Sequence, residues 1–249
     1  MTLHPLAAGF AEVAESYDRG RPEYAPAVVG ALAAELGLAP TATVLDLAAG
    51  TGKFSRALLA AGLDLVAVEP LAELRELLVG AVGAARVLDG LAERIPLEDD
   101  SVDAVTVADA FHWFDQPAAL AEIRRVLRPG GGLALISTAP DWSGVSWAHD
   151  VGSLMGSLRP AHPHFDGPPW QDTVRAAPGW TDLRELSVTS SQPVSPERIV
   201  DYVGSVSWFA AMPADQRAEA LEKVQAFVLA GETPAELLVH VRIGLSTAV

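Results

Sequence analysis

The stretch Thr43–Ser55, TVLDLAAGTGKFS, constrains the fold of this chain more strongly than any other. Its apolar first half predicts the end of a buried strand, and the small residues from Ala48 to Gly52 predict a tight turn. Helical spacing then begins at Phe54. A strand, a glycine turn and a helix in this order direct backbone N–H groups and a helix N-terminus towards a ligand.

The carboxylate of Asp46 comes just before this turn and limits the kind of ligand that can bind there. A carboxylate would repel a phosphate group and attract a cationic group. The stretch therefore favours an adenosyl ligand that has a positive charge and no phosphate, such as S-adenosylmethionine (SAM).

Composition excludes several other classes of protein. The formal net charge of −15 at pH 7 disfavours nucleic acid and anionic membranes as partners. The absence of cysteine excludes disulfides, thiolate metal sites and a cysteine nucleophile, and it fits a reducing compartment. The six histidines show no paired spacing typical of a metal site. We therefore expect a protein without a metal. Neither a signal peptide nor a membrane-spanning run is recognisable, so we also expect a cytoplasmic protein.

Beyond the turn, short apolar runs alternate with segments of helical spacing. This alternation predicts an α/β fold of the Rossmann-like, doubly wound type, with right-handed crossovers and a parallel sheet. Strands are predicted at 44–47, 63–68, 85–88, 102–107, 133–137, 183–189 and 236–245. Helices are predicted at 24–36, 54–61, 71–82, 117–127, 195–206 and 214–229.

The carboxyl ends of parallel strands meet at one edge of a sheet, where the ligand of such folds sits. Asp46, Glu69 and the segments 90–93 and 109–113 all follow predicted strands, so we expect them to converge. Glu69 occupies about the position at which a Rossmann-type fold places the acid that holds the ribose hydroxyls.

Two regions are expected to cover this edge within a single domain spanning 1–249. Residues 1–40 should form two helices, and Arg19 and Arg21 beside Tyr17 could clamp a carboxylate by bidentate hydrogen bonds. Residues 138–182 are rich in Pro, Gly, Trp and His and show helical spacing only around 147–158. We interpret them as an inserted cap.

Five segments, VLDLAAGTG, VAVEP, GLAERIP, AFHWFD and EIRRVLRPGGGL, together resemble class I SAM-dependent methyltransferases. Within this family the chain is similar to the small-molecule branch, methyltransferase type 11, which includes trans-aconitate methyltransferase-like proteins with a Tyr–Arg–Pro–Tyr stretch like residues 17–24. The motifs cover 10–140, and 183–249 match more loosely. The resemblance implies a seven-stranded sheet with an antiparallel last strand, SAM as cofactor and a small-molecule acceptor.

The resemblance also implies roles for individual residues. The turn would approach the methionine part of SAM, Glu69 would hold the ribose, and Tyr17 with Arg21 would close over the SAM carboxylate. Residues 91–93 would flank the adenine, and 109–110 would line the sulfonium side. The expected cofactor-binding residues are Tyr17, Arg21, Asp46, Ala48, Gly50, Thr51, Gly52, Glu69, Pro70, Leu91, Ala92, Glu93, Asp109 and Ala110.

Two positions depart from the family pattern. Ala48 replaces the first glycine of the turn, although it is still small. Leu91 stands where many relatives have an aspartate near the adenine amine, so that contact would depend on the backbone or on Glu93.

The segment AFHWFD leaves two roles open for His112. It could pack the cap against the sheet, or it could lie near the transferred methyl group and accept a proton from a hydroxyl, phenol or ring N–H. A carboxylate acceptor would need no base, because positioning and desolvation would supply the rate. As a base, His112 would titrate near its reference pKa of about 6.5. An aromatic acceptor surface is expected from Trp113, Trp142, Trp147 and Trp208.

Other reactions of this kind of fold fit less well. A nicotinamide-dependent dehydrogenase is disfavoured because Ser55 stands at the third fingerprint position and Asp46 would lie too close to a pyrophosphate. A nucleotide phosphate loop is disfavoured because Lys53 is followed by Phe54 instead of Ser or Thr. Methylation of carbon or nitrogen, and SAM chemistry without methyl transfer, remain open beside the methylation of oxygen that we expect.

Overall fold

A computed structural model describes residues 3–82 and 86–249 of the chain. Its strands are β1 Thr43–Leu47, β2 Asp64–Val68, β3 Arg86–Leu88, β4 Val102–Ala108, β5 Leu127–Pro140, β6 Arg184–Pro193 and β7 Glu236–Thr247. Its α-helices are α1 Pro5–Ala8, α2 Ala14–Gly20, α3 Pro26–Leu36, α4 Lys53–Ala60, α5 Ala72–Val82, α6 Gln116–Val126, α7 Ala148–Leu158, α8 Pro163–Asp166, α9 Trp170–Ala176, α10 Pro196–Gly204, α11 Ser207–Ala210 and α12 Ala214–Ala230. Short 3₁₀ helices lie at Gly9–Val13 and Phe111–Trp113.

The strands described form a seven-stranded sheet in the order β3-β2-β1-β4-β5-β7-β6. The neighbours among β3, β2, β1, β4 and β5 are parallel, and β7 lies antiparallel between β5 and β6. Helices α3, α4 and α5 pack on one face, and α6 with α9 packs on the other. The predicted doubly wound, mostly parallel Rossmann-like sheet with an antiparallel last strand is confirmed.

The central strands are apolar on both faces because helices cover both faces. In β1, Val44 and Leu45 are fully buried on opposite sides of the sheet, and Ala104 and Val105 of β4 repeat this arrangement. Residues 48–52 connect the end of β1 to the start of α4, so the glycine turn lies at the carboxyl edge of the sheet, as predicted.

The region predicted as a cap, 138–182, needs correction at both its boundary and its content. Its first residues, Thr138–Pro140, extend β5 and pair with β7. Its helices are α7, α8 and α9, although only α7 had helical spacing in the sequence. The two missed helices have only 4 and 7 residues, so neither is long enough to show a clear apolar period.

The N-terminal region also departs from the prediction of two helices. It consists of α1, a 3₁₀ turn and α2 before α3 begins at Pro26. β5 begins at Leu127, six residues before the predicted start at 133, and the short helix α11 lies where no element was predicted. β6 and β7 are longer than predicted, and the remaining element ends differ by a few residues. The predicted start of β3 at Ala85 lies outside the described residues.

Helix α2 packs closely against α10, and a glycine permits this contact. A Cβ atom at Gly20 would lie 2.3 Å from the backbone nitrogen of Tyr202. None of the described helices is both long and apolar enough to cross a membrane.

We expect Gly20→Ala to lower the free energy of unfolding by about 1–3 kcal/mol, because the added methyl group forces two backbones apart. The matched control is Gly30→Ala in α3, since a Cβ at Gly30 would have nothing within 4 Å. That control should gain about 0.5–1 kcal/mol, because alanine favours a helix interior over glycine. Urea unfolding of both variants measures the difference, and equal stabilities would contradict the close contact.

Candidate functional site

A cavity of about 1240 Å³ opens at the carboxyl ends of β1, β2 and β4. It is larger than the ~300–1000 Å³ typical of a pocket for one small ligand, so it has room for a cofactor and an acceptor. Most of the residues predicted to bind the cofactor line it: Tyr17, Arg21, Ala48, Gly50, Glu69, Pro70, Leu91, Ala92, Glu93, Asp109 and Ala110.

The turn after β1 is built on left-handed backbone conformations. Gly50 has φ 59° and Gly52 has φ 86°, which glycine adopts without steric cost. Ala48, at the position of the family's first glycine, has φ 56°, a conformation that alanine adopts with strain. Gly52 does not line the large cavity. A Cβ there would lie 2.8 Å from Leu78, so this glycine lets the turn pack against α5.

Two other predicted cofactor residues are directed away from the large cavity. The carboxylate of Asp46 is buried and accepts hydrogen bonds from Ser55 Oγ at 2.5 Å and Thr106 Oγ1 at 3.3 Å. Burial raises the pKa of Asp46 to about 6. Thr51 donates its hydroxyl to Asp18 at 2.8 Å. Both side chains brace the turn, and both line a smaller cavity that shares Tyr17, Gly50 and Asp109 with the large one, so their contact with the cofactor stays a prediction.

Glu69, in contrast, reaches the cavity from the end of β2. Its carboxylate accepts the backbone N–H of Gly50 at 2.8 Å through one oxygen and that of Leu71 at 2.9 Å through the other. Burial raises its pKa to about 7, against the lowering effect of these two hydrogen bonds. Each carboxylate oxygen keeps a further lone pair, so the pair of oxygens can still accept from a diol.

Asp109 follows the end of β4 directly and has a left-handed backbone conformation with φ 54°. One carboxylate oxygen accepts the backbone N–H of Thr138 at 2.8 Å, and the other accepts the Tyr24 hydroxyl at 3.0 Å. Burial raises the pKa of Asp109. Beyond the end of β3, the loop that should flank adenine is anchored by Glu93, which accepts the backbone N–H of Asp115 at 2.9 Å.

The two N-terminal arginines have different roles. The guanidinium of Arg21 lies 5.1 Å from the ring centre of Tyr17 and 4.9 Å from that of Tyr202. It donates two hydrogen bonds of 2.9 Å to Ser205, through Nε to the hydroxyl and through Nη2 to the carbonyl. Arg19 is ion-paired to Asp201 at 2.8 Å outside the cavity. The two-arginine clamp was therefore wrong, and Arg21 alone remains at the site.

His112 lies on the cavity wall within a cluster of imidazoles that the sequence did not reveal. Its ring centre is 5.0 Å from that of His164 and 5.8 Å from that of His162. Burial, reinforced by these neighbouring imidazoles and by Arg21, lowers the pKa of His112 to about 3. The expected titration near pH 6.5 is therefore wrong, and His112 is neutral at neutral pH.

The hydrogen bonds of His162 define its tautomer. Its Nδ1 accepts the backbone N–H of His164 at 3.2 Å, so the proton is on Nε2, which lies 2.8 Å from the Ser207 hydroxyl. Burial lowers the pKa of His162 to about 4. No group of three or more His, Cys, Asp or Glu in the described parts of the chain could hold a metal ion.

Three of the four predicted acceptor-side tryptophans, Trp113, Trp142 and Trp208, line the cavity. Trp147 does not: it is 3% exposed in the core formed by α7, α10 and α12, and its Nε1 donates to Thr233 at 3.3 Å. Trp170, a further aromatic residue of the predicted cap, also lines the cavity, and so does Tyr202, which the sequence analysis did not single out. The sequence shows that these residues are aromatic. It does not show which helices and strands pack together at this edge of the sheet.

Comparisons with known proteins agree with this geometry. A family model described as a methyltransferase domain matches residues 45–135. An uncharacterised methyltransferase of Mycobacterium tuberculosis is 37% identical over 220 residues, which cover 88% of this chain and 85% of the relative. A malonyl-[acyl-carrier protein] O-methyltransferase of Methylococcus capsulatus is 46% identical over 103 residues, which cover 38% of this chain and 37% of that protein.

Solved structures show the same fold. A structure from Anaeromyxobacter dehalogenans, described as a type II methyltransferase, has a TM-score of 0.63 and 25% identity, and the match covers 92% of this chain and 97% of that one. Together with the relative matched over most of its length, these findings show that the chain belongs to the class I SAM-dependent methyltransferases.

Proposed function

We propose that this enzyme binds SAM at the strand-end half of the cavity and methylates an oxygen atom of a small molecule held in the aromatic half. The observation that supports this most directly is one cavity in which the glycine turn and the Glu69 carboxylate face a wall of aromatic rings and His112. In this proposal the chain acts as one domain, and residues 1–40 and 138–182 cover the site.

The residues of the strand-end half fit the chemical groups of SAM. A buried carboxylate, Glu69, suits the ribose diol, and the backbone of Gly50 is open for close approach. The Nη1 group of Arg21 has no hydrogen-bond partner among the described residues, so it can bind the carboxylate of the methionine part. Asp109 supplies negative charge for the amino and sulfonium groups.

His112 fits an acceptor that loses a proton on methylation, which includes a hydroxyl or a phenol as well as a ring N–H. SAM supplies an electrophilic methyl group: the O–CH₃ bond forms as the S–CH₃ bond breaks. If the acceptor is a hydroxyl or phenol, its proton must leave, and a neutral imidazole can accept it. The low pKa keeps His112 neutral but also weakens it as a base. The O-methyltransferase relative is consistent with this chemistry.

Incubation with methyl-labelled SAM and a panel of hydroxyl, phenol, carboxylate, amine and carbon acceptors tests the proposal. Labelled product with the methyl group on oxygen is the expected result. A methyl group on nitrogen or carbon would exclude the oxygen assignment, and turnover of SAM without labelled product would exclude methyl transfer to these acceptors.

We expect Glu69→Ala to weaken SAM binding roughly tenfold or more, because charge-assisted hydrogen bonds to two hydroxyls are worth about 1.5–3 kcal/mol each. Asp64→Ala, on the same strand but exposed, is the matched control and should leave affinity unchanged. Calorimetry on both folded variants measures the dissociation constants. An unchanged constant in Glu69→Ala would contradict the ribose assignment.

The pH dependence of SAM binding gives a second test of Glu69. Its pKa of about 7 means that the ionised form, which accepts the hydroxyls, falls from about 90% at pH 8 to about 10% at pH 6. Affinity should therefore fall about tenfold over this range. In Glu69→Gln this tenfold fall in affinity should be absent. The titration of Asp46 near pH 6 and of SAM itself affects wild type and Glu69→Gln alike, so the comparison isolates Glu69. An equal pH dependence in the two proteins would contradict the role of Glu69.

With a confirmed hydroxyl acceptor, His112→Ala should lower the saturated rate by roughly 10², at the low end for a positioned base because its pKa is low. SAM affinity should hardly change. The wild-type rate should stay flat between pH 6 and 8, since His112 does not titrate there. His164→Ala, in the same cluster, is the control and should stay within a few-fold of wild type. A similar small effect in His112→Ala would mean that His112 only packs the cap.

A further inference from the structure

The cavity continues beyond the imidazole cluster onto one face of the sheet formed by β5, β7 and β6. In the strand register Arg242 of β7 is paired with Ser137 of β5 and with Ser187 of β6, and all three residues line the cavity. Side chains alternate between the two faces of a strand. Because Val241 and Ile243 are buried in the core on one face, Arg242 points to the cavity face between two hydroxyls.

Arg242 differs from the other arginine of the cavity in having no partner. Among the residues that the structure describes, it makes no hydrogen bond and no ion pair, whereas Arg21 is bound to Ser205. Glu185, which lines the same cavity, is already ion-paired with Arg175 at 3.4 Å.

The chain has 32 acidic and 17 basic residues, so carboxylates outnumber cations almost two to one. Among the described residues eight arginines form ion pairs with carboxylates, whereas Arg242, whose side chain is exposed at the cavity wall, forms none. A guanidinium presents parallel N–H donors that match a carboxylate or a phosphate. The cavity wall at Arg242 therefore has the chemistry of a site for an anionic group.

The indole ring of Trp170 provides a flat aromatic surface on the same strand face as Arg242. Two residues further along β7, a Cβ at Gly244 would lie 2.4 Å from the ring of Trp170, so the ring rests directly on the sheet. Two residues of a strand span about 7 Å, the length of a short spacer between a flat apolar group and a carboxylate. This glycine makes room for the ring next to the charge.

We propose that Arg242 binds the anionic group, a carboxylate or a phosphate, of an acceptor whose apolar body packs against Trp170. This inference rests on the proposed function, because it places the acceptor in the second half of the same cavity. The anionic group is bound at the sheet face and is separate from the oxygen that is methylated. The acceptor class is thus a free amphipathic acid.

The test measures binding of three probes with the same phenyl body to protein saturated with S-adenosylhomocysteine. The probes are 3-phenylpropionate, 2-phenylethyl phosphate and the neutral 3-phenylpropionamide. Wild type should bind at least one of the anions about tenfold more tightly than the amide, as charge-assisted hydrogen bonds to a guanidinium require. The two anions distinguish a carboxylate site from a phosphate site.

Arg242→Gln should bind the anions no more tightly than the amide, and Arg242→Lys should keep part of the preference. The matched control is Arg184→Gln, which removes the same charge from β6, where Arg184 is paired with Glu35 at 2.7 Å. It should keep the wild-type preference. Wild type without any preference for the anions, including wild type that binds none of the probes, overturns the inference, and so does a preference that survives in Arg242→Gln.

A failure of the cofactor site and a failure of the Arg242 site give different results. Saturation with S-adenosylhomocysteine is measured first, and its absence would contradict the proposed cofactor site. If S-adenosylhomocysteine binds and the preference for anions is absent, the proposed function stands and only the role of Arg242 falls.

Discussion

The site depends on the buried carboxylate of Glu69, which connects the ends of two neighbouring strands. By accepting the N–H of Gly50, it ties the turn after β1 to the end of β2, and by accepting the N–H of Leu71 it holds the start of the next helix. A buried charge is stable only when it is hydrogen-bonded. The two backbone donors therefore stabilise the carboxylate, and the carboxylate in turn fixes the left-handed turn that opens towards the cavity.

Burial affects the charged groups of the two halves of the cavity in opposite senses. It raises the pKa of Glu69 at the cavity wall to about 7, and that of Asp46 behind the glycine turn to about 6. It lowers the pKa of His112 to about 3, so the imidazole is uncharged at neutral pH. In both cases the cause is the poor solvation of charge in a buried site. It disfavours the ionised form of the two carboxylates and the protonated form of the imidazole.

The N-terminal region is held against α10 by contacts between distant parts of the chain. Arg21, between the rings of Tyr17 and Tyr202, joins the N-terminal region to α10 through Ser205. The close approach at Gly20 belongs to the same interface. These contacts place Tyr17 over the glycine turn, since the nearest atom to a Cβ at Gly50 is a ring carbon of Tyr17 at 4.0 Å.

The amino-acid sequence by itself determined the sheet, the position of the glycine turn and the strand-end acids, because these follow from local patterns: apolar runs, small residues and the spacing of a βαβ unit. It did not determine that Asp46 is hydrogen-bonded to Ser55, that Trp147 belongs to a core, or that Arg242 lines the cavity. Those properties depend on which elements pack together after 138–182 has folded, and on the burial that follows. The pKa of His112 also depends on the tertiary structure. It is set by burial and by imidazoles about 50 residues away in the chain, and a local sequence pattern shows neither.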